Sequence, residues 1–114
     1  MTPRSKPPAL HRLFVRRYPK IGEAWNLVNA EGAEGPLDAT TQRLVKLAVA
    51  IGALREGAVH SAVRKARDAG ATAAEMDQVV ALAASTLGFP ATVAVWSWVR
   101  EEEDGGPARA TKRR

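Results

Sequence analysis

From Pro36 to Pro90 no proline interrupts the chain, and inside that window apolar residues recur at three- and four-residue steps. Met76, Val79, Val80, Ala83, Ala84 and Leu87 lie on one face of a helix. Thr72 with Glu75 three residues on reads as a capping box, and Gly88 before Phe89-Pro90 as a stop. Upstream, Val59, Ala62, Val63 and Ala66 form a second stripe closed by Gly70. Leu44, Val45, Leu47, Ala48 and Ile51 form a third, opened by Asp38 and ended near Gly52. Ile21, Ala24, Trp25 and Val28 predict a shorter helix ending around Gly32–Pro36. Residues 91–103 predict a last one, running from a proline through Val93, Val95, Trp96, Trp98 and Val99 into an acidic cluster. No stretch alternates as a strand would. The pattern predicts an all-α fold of about five to six helices.

The same pattern predicts self-association. Twenty-two residues are alanine, so each helix face is shallow and a monomer of 114 residues buries little area. The segment 91–99 is apolar nearly all round, unlike a surface helix of a monomer. Trp96 and Trp98 point about 200° apart on a helix, so one faces inward and the other a partner chain. The alternative is one large core with a partly exposed Trp.

Charge narrows the functional classes. Of seventeen Lys and Arg, six fall in residues 1–20 with no acid, while residues 21–100 hold seven bases and eight acids. The folded body is therefore near neutral and carries no basic reading face, which argues against a nucleic-acid partner. Residues 1–8 and 105–114 read as flexible tails, the second basic, around a single domain at 9–104. There is no cysteine, so a thiolate nucleophile, a disulfide framework and a thiolate metal site are all excluded. Leu13-Phe14-Val15 is too short for a secretory segment, no run approaches membrane-spanning length, and a cytoplasmic location is expected. Two histidines and scattered carboxylates show no recognised ligand spacing. No metal or other cofactor is therefore expected.

The order of these pieces carries a resemblance. Leu37-Asp38 through Leu44-Val45-Lys46-Leu47-Ala48-Val49-Ala50 resembles the helix before the active site in the carboxymuconolactone decarboxylase-like family, which includes the alkylhydroperoxidase D-like proteins. So does His60-Ser61-Ala62-Val63-Arg64-Lys65-Ala66 leading into Ala69-Gly70-Ala71-Thr72, and Leu87-Gly88-Phe89-Pro90 with its following helix. Over residues 9–103 the resemblance implies a helical fold assembling as a homotrimer or homohexamer. It implies one of two chemistries: thiol-based peroxide reduction, or proton transfer that decarboxylates or isomerises a small lactone acid. Carried over from Gly70-Ala71-Thr72, the family's cysteine positions fall on Arg55 and Ala58, its histidine on Ala62 and its preceding glutamate near Arg43. All four depart from the pattern, and without a thiolate the peroxidase chemistry is excluded.

Glu56 and His60 remain as candidate catalytic residues. Four residues apart on one helix, they can touch. The decarboxylase branch has the same spacing two residues later, a rotation of about 200°. Counted from Val59, Glu56 lies at the edge of the buried stripe and His60 on its flank, above Arg64 and Arg67. A carboxylate buried there would be raised in pKa and could work with the histidine as acid and base. The competing reading is a cap or salt bridge near a helix start, with His60 and Arg55 as ordinary partners. Arg55 and Arg64 are the candidates for binding a small anionic substrate, against a plain solvated role. His11, with no acid nearby, reads as surface or interface packing. The competing function is a non-catalytic oligomeric scaffold of the same fold.

Overall fold

The computed structural model describes residues 8–105, with side chains over residues 9–103, and among them forms six helices and no strand. The tails expected at 1–8 and 105–114 lie outside the described residues, apart from Pro8 and Gly105, which begin and end helices. Contacts gather the chain into two compact units that divide after Pro36.

The first unit is a helical pair, α1 (Pro8–Arg17) and α2 (Pro19–Ala33). Nothing in the apolar pattern predicted α1, a short basic segment without an acidic first turn. Pro19 at the first position of α2 suits a helix start, where the missing N–H has no intrahelical partner anyway. The two helices touch at Gly22, buried against Val15, where a Cβ would come within 2.7 Å of Val15 Cγ1. His11, Phe14, Val15, Ile21, Trp25 and Val28 line an apolar groove of about 570 Å³ in this unit, and His11 is itself exposed.

The second unit holds α3 (Ala39–Gly52), α4 (Glu56–Asp68), α5 (Ala73–Leu87) and α6 (Phe89–Gly105). Each end is marked by the residue types that favour it. Asp38 caps α3 by accepting from the Thr41 N–H at 2.8 Å. Thr72 and Glu75 close a reciprocal capping box on α5, with bonds of 3.0 and 2.9 Å. Gly88, at φ 87° and ψ 161°, turns the chain from α5 into α6 through backbone space that is essentially reserved for glycine. Between α3 and α4 the turn is made by Leu54 at φ 55°, a strained value for a residue with a Cβ.

The four helices form a ring. α4 and α5 each pack against both α3 and α6, which stand at opposite corners. Leu47, Ala50 and Ile51 of α3 meet Val59, Val63 and Ala66 of α4, Met76 and Val80 of α5, and Val95 and Val99 of α6. Val45 and Ala48, which the pattern placed on the inner face of α3, are exposed; Ala50 takes an inward place instead. Trp98 packs against the core while Trp96 stays 43% exposed, with the Arg100 guanidinium 5.0 Å from its ring centre. The two indoles thus diverge as the helical period requires.

Candidate functional site

α4 begins at Glu56, with Arg55 as its N-cap residue, so Glu56 sits at the open end of the helix and His60 one turn further in. The turns that follow carry Arg64 and Arg67. This stripe at steps of four and three meets the C-terminal part of α6, which presents Glu101 and Glu102. The imidazole is the centre of the cluster, and its two nitrogens have different neighbours.

On the inner side, Nδ1 lies 2.8 Å from Glu102 Oε2, and the same oxygen accepts from Arg64 at 3.0 Å. A carboxylate paired with a guanidinium is an acceptor, so Nδ1–H donates and the neutral ring carries its lone pair on Nε2. The His60, Arg64 and Glu102 side chains are only 19–20% exposed, so this side is largely withdrawn from solvent. Arg67 donates to the Glu102 backbone carbonyl at 3.3 Å, a second tie between the helices.

On the outer side, Nε2 faces Glu56 Oε2 and Glu101 Oε1, each at 3.4 Å. These carboxylates are 55% and 64% exposed. The helical wheel ordered burial the other way, with Glu56 at the edge of the stripe and His60 on the flank. α6 covers the second turn of α4 and leaves the first open, so Glu56 is not buried as the helical wheel predicted. A carboxylate oxygen from Glu56, one from Glu101 and a ring nitrogen of His60 all lie within 4.8 Å of one another, a geometry in which a metal ion can be held.

The cationic candidates separate. Arg64 is turned to Glu102 rather than outward, whereas Arg55 is exposed beside Glu56 and makes no side-chain cap bond. On another flank of α4, the Lys65 ammonium is held below its usual pKa, first by partial desolvation and then by Arg43, Lys46 and Arg64. The α6 side of α4 thus pairs acids with bases, whereas the α3 side gathers Lys65 with Arg43 and Lys46.

Sequence reasoning missed Glu101 and Glu102, which it took as part of a charged end. Forty-two residues separate Glu102 from His60, and only the packing of α6 on α4 joins them. The available signal was complementarity, a His60/Arg64/Arg67 stripe on one helix and an acidic run ending another.

Residues 19–101 match the carboxymuconolactone decarboxylase family (CMD). The chain belongs to that family. No curated protein and no solved structure matches it in the corresponding comparisons. The CMD match spans α2 to the last turns of α6 and takes in Glu56, His60, Arg64 and Glu101. Ala58 and Ala62, onto which the resemblance carried a cysteine and the histidine, both pack against the core. No helix among the described residues is long and apolar enough to cross a membrane.

Proposed function

We propose that the chain catalyses proton transfer on a small organic acid of the carboxymuconolactone type. His60 Nε2 takes or gives the proton, and Glu56 exchanges it with solvent. The observation that supports this is the mounting of His60. Glu102 holds Nδ1, Arg64 holds Glu102, and Nε2 is left facing Glu56 at 3.4 Å. A base fixed by a third group in this way is the arrangement proton transfer needs. In decarboxylation the bond to the carboxyl carbon breaks, carbon dioxide leaves, and the electron pair left behind must receive a proton. Isomerisation requires a proton to be removed and returned. With Arg64 occupied by Glu102, Arg55 is the cation at hand for the substrate carboxylate. The working unit is a homotrimer or homohexamer whose contacts cover exposed apolar residues such as Trp25, Leu27 and Phe89.

A second reading is favoured by the same bonds. Arg64 and Arg67 tie α4 to α6 through Glu102, which is how a purely structural clamp in a non-catalytic scaffold would look. The test is to incubate the full chain with carboxymuconolactone in deuterated water and follow proton NMR. Loss of carboxyl or uptake of deuterium with the wild type, abolished by His60→Gln at unchanged circular dichroism and elution volume, supports catalysis. An inert wild type supports the scaffold.

A further inference from the structure

The outer face of His60 poses an electrostatic problem that the proton-transfer reading leaves open. In the neutral tautomer that donates Nδ1–H to Glu102, Nε2 presents a lone pair, and the two groups it faces are carboxylates. Three electron-pair donors from three turns of two helices converge on one small volume. Adding a proton to Nε2 relieves this only in part. A ring N–H is directional: it reaches Glu56 Oε2 in a long hydrogen bond of 3.4 Å and leaves Glu101 Oε1, also at 3.4 Å, without one from the ring. A cation placed between them meets all three at once.

We propose that Glu56, His60 and Glu101 form a binding site for a divalent transition-metal ion of the zinc type. The spacing fits that ion. Zinc bonds of about 2.0–2.1 Å to nitrogen and carboxylate oxygen, opened to a tetrahedral angle, place adjacent donors about 3.4 Å apart. The observed Nε2 to oxygen separations are 3.4 Å on both sides, and the whole donor set spans no more than 4.8 Å. One imidazole nitrogen with two carboxylates is a zinc-type set, whereas magnesium and calcium favour oxygen alone.

The support around the site fits as well. A ligating histidine commonly donates its other ring N–H to a carboxylate, which fixes the tautomer and strengthens the donor. Glu102 is that carboxylate here, and Arg64 in turn holds it. Three protein donors leave a fourth position, and the exposure of Glu56 and Glu101 leaves it open to water or a small ligand. The metal goes where the proton would go. Zinc and proton transfer at Nε2 therefore exclude each other, and zinc is an inhibitor of the activity proposed above. Ligand spacing along the chain could not show this, because Glu101 joins the pair only through the packing of α6 on α4.

The test is isothermal titration calorimetry with zinc chloride on the full chain, free of any affinity tag and stripped of metal, at neutral pH. One zinc per chain is expected, with no comparable heat from magnesium chloride. Glu101→Gln, on an exposed helix position, should weaken binding at least about tenfold, and Glu102→Gln by about 10- to 100-fold through loss of the supporting carboxylate. His11→Gln should bind as the wild type does, and circular dichroism should be unchanged in all three. No saturable uptake, equal affinity in the wild type and Glu101→Gln, or loss of binding in His11→Gln alone would each overturn the site. The two proposals fail separately. Deuterium uptake without zinc binding sinks only the metal site, and zinc binding by an inert protein sinks only the catalysis.

Discussion

The Arg64–Glu102 pair is where the reading of the site is most open to measurement. Its atoms are 3.0 Å apart, and both side chains are 20% exposed. Unit charges about 4 Å apart attract by about 1 kcal/mol in water and about 4 kcal/mol at an effective dielectric of 20. Desolvation of two groups that still touch solvent offsets part of the larger figure. The coupling should therefore be about 1–2 kcal/mol, above the ~0–1 kcal/mol of exposed pairs and below the ~3–5 kcal/mol of breaking a fully buried one. A double-mutant cycle isolates it. Glu102→Gln keeps the shape and the acceptor oxygen towards His60, and Arg64→Met keeps the aliphatic stem packed. Stability is read from urea unfolding by tryptophan fluorescence at one fixed protein concentration, because self-association would shift the midpoint. A coupling energy under about 0.5 kcal/mol would show that Glu102 is not held by Arg64 and that the mounting of His60 is looser than argued.

Other outcomes follow from the helix ends and the close contacts. Thr72→Ala removes the capping box of α5 and should lower stability by about 1 kcal/mol in the same urea assay. Gly22→Ala puts a methyl group 2.7 Å from Val15 Cγ1, so the α1–α2 contact should loosen and α1 amides should exchange faster with deuterium. Gly32→Ala, which meets nothing within 4 Å in the same helix, should instead stabilise it by up to about 1 kcal/mol. Asp38 is held below the usual carboxylate pKa by the Thr41 N–H and is therefore more acidic folded than unfolded. Its contribution is complete above the ordinary value of 3.8 and is lost as pH falls through the folded value. Asp38→Asn should flatten the acid limb of the stability profile below that value.

Much of the second unit was legible because its signals are local. Thr72, Glu75 and Gly88 mark α5 within one turn of its ends, and the stripe between them supplies Met76 and Val80 to the core. Asp38 does the same for the start of α3. α1 escaped because it has no acidic first turn, and its largest apolar residues, Leu10, Leu13 and Phe14, are exposed. The centre of the candidate site was half legible. Helical spacing put Glu56 beside His60, but which of them would be covered depends on where α6 ends. Glu101 and Glu102 were invisible as partners for the same reason: a charged run at a helix end looks solvated until another helix brings it a histidine and two arginines.

That charged run has a consequence for how the chain folds. Carboxylates at the C-terminal end of a helix face the negative end of its dipole, and α6 has no basic residue in its last turn to compensate. By itself the segment around Glu101 and Glu102 is a poor helix. It gains counter-charges when α4 arrives with His60, Arg64 and Arg67. The final turns of α6 are therefore expected to form with docking rather than before it. In kinetic terms, substitutions there should speed unfolding while leaving the folding rate nearly unchanged, which marks the site as one of the last parts of the protein to be assembled.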